Sequence, residues 1–126
     1  MQQRILLVDD EGGFRTSLAA YLRRSGHHVW TAEDVDAAMM LAVEVRPDVL
    51  VIDWMLKSHS DGLDITDALR HAGVRPRVIV ISGYPSEQLR RKLEAMPQVT
   101  FLAKPFPPQE LLAELEGSSD GGEGWR

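Results

Sequence analysis

Five polar side chains stand where chemistry could be built. Asp9 and Asp10 follow the apolar run Ile5-Leu6-Leu7-Val8, and Asp53 closes Val49-Leu50-Val51-Ile52. Ser82 closes Val78-Ile79-Val80-Ile81, and Lys104 follows Val99-Thr100-Phe101-Leu102-Ala103. Carboxylates on a rigid edge suit Mg²⁺, a hard cation that takes oxygen ligands and keeps several waters. A metal with open positions accepts a phosphoryl oxygen. A phosphoryl group in transfer spreads charge over its equatorial oxygens, and an ammonium and a hydroxyl donor stabilise that charge. Asp53, the central carboxylate, is then the candidate nucleophile. Each residue alone has a plainer reading. An Asp pair after a strand caps a helix, a lone Asp or Ser forms a turn, and a Lys is solvated. Their recurrence at successive strand ends favours one shared site.

The elements that must carry these residues are legible. Unbroken apolar runs that stop at polar residues read as strands covered on both faces, as in a parallel sheet. Helical spacing separates them. Phe14, Leu18, Tyr21 and Leu22 mark the first helix, with Gly12 and Gly13 read as a tight turn before it. Arg23 and Arg24 suit its C-terminal dipole, and Gly26 its C-cap. His28 to Ala32 is a short strand. Asp34 caps a helix with Val35, Ala38, Met39 and Ala42 inward, and Pro47 stops it. After a polar loop from Trp54 to Ser60, Asp61 is expected as the N-cap of a helix through Leu63, Ile65 and Leu69 that fades at Gly73. Gly83-Tyr84-Pro85 turns the chain into a helix carrying Leu89, Leu93 and Met96. Pro107 and Pro108 open the last helix, which uses Leu111, Leu112 and Leu115.

Five strand–helix units predict an α/β fold: a flavodoxin-like, doubly wound (βα)5 arrangement with a five-stranded parallel sheet of order 2-1-3-4-5. All carboxyl ends of such a sheet share one edge, where ligands bind. Strands one and three would be neighbours about 4.8 Å apart, so Asp9, Asp10 and Asp53 would crowd and repel without a counter-charge.

The 126 residues suit one domain with a real core. A formal charge of −5 argues against a non-specific nucleic-acid binder. The absence of cysteine excludes disulfides, thiolate metal sites and a Cys nucleophile. No apolar run approaches the roughly 20 residues of a membrane span, and no signal-type stretch opens the chain. A cytoplasmic protein without a membrane partner is expected.

Leu7-Val8-Asp9-Asp10-Glu11, Ile52-Asp53, Asp61-Gly62, Ile81-Ser82-Gly83 and Lys104-Pro105-Phe106, in this order and spacing, resemble the receiver domain of bacterial two-component response regulators, the CheY-like superfamily. The resemblance covers Arg4 to Glu116. It implies a receiver domain over 1–116, with 117–126, rich in Gly, Ser and acid, as a flexible tail or linker stub. Asp53 would be the phosphoacceptor, taking a phosphoryl group from a histidine kinase or histidine phosphotransfer protein. Asp9, Asp10, Asp53 and the backbone carbonyl of Met55 would hold Mg²⁺. Lys104 would pair with the phosphoryl group, Ser82 would swing in to hydrogen-bond it, and Phe101 would be the aromatic switch. The Lys104–Pro105 bond is expected to be cis. Phosphorylation would shift the face formed by helix four, strand five and helix five. Output would go to a downstream protein effector, with no direct nucleic-acid binding by this chain. A phosphorylation-dependent homodimer is compatible with this scheme. The chain would be a signalling phosphoacceptor, not an enzyme, apart from Mg²⁺-dependent transfer to itself and slow autodephosphorylation.

Some residues depart from that pattern. The loop from Asp53 to Asp61 is one residue longer than usual, with Lys57 where a proline is common. Phe101 lacks the hydroxyl of a tyrosine, so its coupling must rest on packing. Met55 and Tyr84 would flank the pocket and slow hydrolytic water. A flavin- or nucleotide-binding protein of this architecture would want a phosphate-cradling Gly- or Ser/Thr-rich loop, where Asp9-Asp10-Glu11 stands instead. A Mg²⁺-dependent aspartyl phosphatase would want an acid two residues after Asp53, where Met55 stands. His27, His28, His59 and His71 are scattered and are not expected to bind metal. Arg90-Arg91-Lys92 reads as a solvated helix face, with docking as the lesser reading. Trp54 should leave the sheet edge by alternation, toward packing or a partner.

Overall fold

The computed structural model describes residues 2–54, 64–83 and 86–116. Ten elements alternate: β1 (Arg4–Val8), α1 (Gly12–Arg24), β2 (His28–Ala32), α2 (Val35–Val45), β3 (Val49–Asp53), α3 (Asp64–His71), β4 (Arg77–Ser82), α4 (Glu87–Glu94), β5 (Thr100–Ala103) and α5 (Pro108–Glu116). The strands form one parallel sheet of order β2-β1-β3-β4-β5, as expected from the strand–helix alternation. β3, the strand that ends at Asp53, is central and bonded on both sides.

Strand alternation divides the core in two. Leu6, Val8, Leu50, Ile52, Val80 and Phe101 face one side and pack against α2, α3 and α4. Ile5, Leu7, Val51, Ile79, Ile81 and Leu102 face the other and pack against α1 and α5. Each apolar run thus serves both layers, which is why these strands show no polar alternation.

Local signals set most boundaries. The Asp34 carboxylate accepts from Ala37 N–H at 2.8 Å and caps α2. α2 ends at Arg46, whose φ of 50° turns the chain left-handed before Pro47. Ser86 caps α4 through Leu89 N–H at 3.1 Å. Gly12 and Gly13 are not a turn: α1 starts at Gly12, after extended Glu11, and Arg15 N–H already bonds Glu11 O at 2.9 Å. Glycine costs little at a helix start, where few intrahelical bonds exist to lose. Ser25 caps α1, and Gly26 follows it at φ 102°, where glycine is favoured. β5 begins at Thr100, one residue later than the apolar run, because Val99 N–H turns back to Met96 O. The Lys104–Pro105 bond is cis, as expected. The expected Asp61 cap, Leu63, the Met55 carbonyl, Lys57, His59, Tyr84 and the tail 117–126 lie outside the described residues.

Candidate functional site

The same alternation that sorts the core brings the charged residues together. Asp9 extends the parity of Ile5 and Leu7, Asp53 that of Val49 and Val51, and Lys104 that of Leu102. All three therefore leave their strand ends toward the α1–α5 side. Backbone bonds past the strands fix their positions: Asp9 N–H to Ala32 O at 3.1 Å and Lys104 N–H to Ser82 O at 2.8 Å.

Lys104 Nζ lies 3.0 Å from Asp9 Oδ2 and 3.4 Å from Asp53 Oδ2. Asp9, Asp10 and Asp53 each present a carboxylate oxygen within 4.8 Å of the others. Asp9 is fully buried and Asp53 nearly so, while Asp10 is half-buried. Buried carboxylates require pairing, and Lys104 supplies only one positive charge for three acids.

The donor set fits Mg²⁺. Three carboxylate oxygens within 4.8 Å of one another are the hard donors that such a cation would take. All donors are hard oxygens, and no histidine joins the cluster among the described residues. For Lys104, burial opposes the ammonium. The Asp9 hydrogen bond, the charges of Asp53 and Asp9 and the Asp53 hydrogen bond outweigh it, so its pKa is raised.

Ser82 is buried at the same edge but on the opposite parity, beyond Val80 on the α2–α4 side. Phe101 pairs with Val80 in the sheet and is buried on that side too. Trp54 continues the alternation of Leu50 and Ile52 and is packing, not free surface: it is 3% exposed, with Lys92 Nζ 5.6 Å from its ring centroid.

Three contributors escaped the sequence reading. Glu11 Oε1 lies 3.6 Å from Lys104 Nζ, and Glu11 N–H donates to Asp9 Oδ1 at 2.8 Å. The Arg15 guanidinium donates to Asp9 O at 2.6 Å. The Phe14 ring centroid is 4.3 Å from Lys104 Nζ. Glu11 extends the acidic run that the sequence shows. Phe14 gives no local sign, because its helical spacing reads as core. The described histidines lie elsewhere. Buried His27 accepts from Gln3 N–H through Nδ1 at 3.1 Å, His28 stands beside Trp30, and His71 Nδ1 is 2.9 Å from Asp67 O.

Residues 5–116 match the family model described as the response regulator receiver domain, so the chain belongs to that family. It is 33% identical over 119 residues to the phosphate regulon transcriptional regulatory protein PhoB of Klebsiella pneumoniae, covering 92% of this chain and 51% of that protein. It is 31% identical over 116 residues to the alkaline phosphatase synthesis transcriptional regulatory protein PhoP of Bacillus subtilis, covering 92% and 48%. The chain thus spans about half the length of these curated relatives. Among solved structures, chemotaxis protein CheY4 of Vibrio cholerae superposes with a TM-score of 0.83 at 25% identity, covering 93% of this chain and 98% of that one. The receiver domain of hybrid histidine kinase CckA gives 0.74 at 30% identity, covering 90% and 96%. Among the described residues, no helix is long and apolar enough to cross a membrane.

Proposed function

We propose that the chain is a phosphorylation-activated receiver whose phosphoacceptor is Asp53. The observation that carries this reading is the Lys104 ammonium held between Asp9 and Asp53 inside a cluster of three acids. A carboxylate nucleophile needs a fixed cation beside it and a route for charge neutralisation. Lys104 stands as that cation at the end of the central strand, 3.4 Å from Asp53.

In this reading an Asp53 oxygen forms a bond to the phosphorus of a phosphohistidine on a kinase or phosphotransfer protein. The phosphorus–nitrogen bond breaks and its electron pair leaves with the imidazole. Asp9, Asp10 and Asp53 would hold Mg²⁺, with the Met55 carbonyl as the further ligand that family resemblance implies. The bound ion would supply positive charge against the phosphoryl oxygens. Lys104 supplies a second cation across the site, fixed by its short bond to Asp9. Ser82 then turns its hydroxyl to a phosphoryl oxygen, and Phe101, on the same side of the sheet, repacks with it. The α4–β5–α5 face changes and is offered to a downstream protein effector or to a second copy. Residues 1–116 form the receiver, and 117–126 serve as a tail or linker. The setting is cytoplasmic.

Incubation with acetyl phosphate and Mg²⁺, followed by mass spectrometry, tests the reading. Asp53 should carry the added phosphoryl group, and Asp53→Asn should abolish it. Labelling that persists in Asp53→Asn refutes Asp53 as the acceptor.

A further inference from the structure

Lys104 has a neighbour that carries no charge. Its ammonium faces Asp9 at 3.0 Å, Asp53 at 3.4 Å and Glu11 at 3.6 Å. Asp9 and Asp53 accept hydrogen bonds from it, and Glu11 adds a third negative charge. The Phe14 ring lies 4.3 Å from Nζ, well inside the roughly 6 Å reach of a cation–π contact. The ring is itself braced. Phe106 meets it edge-on, with centroids 6.0 Å apart and planes at 90°. Phe106 lies two residues past Lys104, so the lysine and the brace come from the same strand end and the ring from the first turn of α1. A cavity of about 570 Å³ opens beside Lys104, walled by Phe14, Leu18, Pro105 and Phe106.

The carboxylates that hold the ammonium are in demand elsewhere. Asp9 and Asp53 are also the donors that would hold a divalent ion, and phosphorylation would exchange the Asp53 carboxylate charge for that of a phosphoryl group set farther out. The ring is a contact that neither event removes. Without it, the flexible four-carbon stem of Lys104 could swing into the cavity when the carboxylates turn to the ion.

We propose that Phe14 is a positioning residue whose ring face keeps the Lys104 ammonium aimed at Asp53 while the carboxylates are engaged by the ion. This rests on the phosphoacceptor reading of Asp53. Phe14 touches no reacting atom and acts through Lys104.

The test uses the full chain with ¹³C-labelled lysine and the variants Phe14→Leu and Phe14→Tyr. In the wild type, the Lys104 ε-CH₂ protons should be shifted upfield by the ring current, both without Mg²⁺ and at saturating Mg²⁺. Phe14→Leu should lose the shift and Phe14→Tyr should keep it. Asp53 labelling by acetyl phosphate should slow about two- to fivefold in Phe14→Leu, the factor expected of a partly exposed cation–π contact, and stay near wild type in Phe14→Tyr. On a Lys104→Met background, Phe14→Leu should cause no further loss, because the ring has nothing left to position. An ε-CH₂ shift that survives Phe14→Leu overturns the proposal. So does an equal loss of labelling with and without Lys104, which is what a packing role would give. If wild-type Asp53 takes no label, the phosphoacceptor reading and this role fall together, while the ε-CH₂ shift still reports whether ring and ammonium meet.

Discussion

On the α1–α5 side of the sheet, the strand ends carry charge: Asp9, Asp53 and Lys104, joined by contacts of 3.0 and 3.4 Å. On the α2–α4 side, the same strand ends carry a hydroxyl and rings: Ser82, Phe101 and Trp54, all buried. Asp53 and Trp54 are chain neighbours, and Ser82 pairs across the sheet with Ala103, next to Lys104. One residue of offset decides which side a group serves. The contrast teaches a division of labour. In the proposed function, bond-making charge is confined to one layer, and the apolar groups that would report it to a helix surface lie in the other.

That contrast can be broken from either side. On the charged side, Lys104→Met should slow acetyl phosphate labelling of Asp53 about a hundredfold, the scale of losing one preorganised cationic donor, with native circular dichroism retained. A loss under threefold would show that charge on this side is dispensable. On the apolar side, Phe101→Leu should leave the labelling rate within about twofold of wild type. It should cost on the order of 1 kcal/mol of stability, read as a fall of about 4 °C in melting temperature. It should also shrink the beryllofluoride-induced amide shifts in α4. A large loss of labelling in Phe101→Leu would erase the distinction between the two sides.

The smallest expected effect concerns pH. The raised Lys104 pKa means that the folded state holds this proton more tightly than the unfolded chain does. Its contribution is fully present below the unfolded value of 10.5 and is lost as pH rises through the folded one. In Mg²⁺-free urea titrations, the stability gap between wild type and Lys104→Met should hold steady at neutral pH and close only above about 10.5. A gap that closed near neutrality would contradict the paired geometry.

The sequence made the sheet and its polar edge readable because both are local signals. Four apolar runs, each stopping at a polar residue, sufficed to place Asp9, Asp53, Ser82 and Lys104 on one edge. Phe14 was hidden because its spacing serves α1 and its partner lies ninety positions away at Lys104; nothing near residue 14 announces an ammonium. Gly12 and Gly13 misled for a different reason. Glycines permit a turn but do not require one, and extended Glu11 lets the helix begin at once. The bend at Arg46 was invisible because arginine has no preference for a left-handed φ; Pro47 marked the stop but not its geometry.

The sheet order has a mechanical consequence. Asp53 rides a strand tethered to neighbours on both flanks, whereas Phe101 rides β5 and Lys104 follows it, a strand four residues long and, among the described residues, bonded to β4 alone. Sliding β5 disturbs one ladder; sliding β3 would tear two. An acceptor at Asp53 would therefore stand on a firmer anvil than the switch residue beside it.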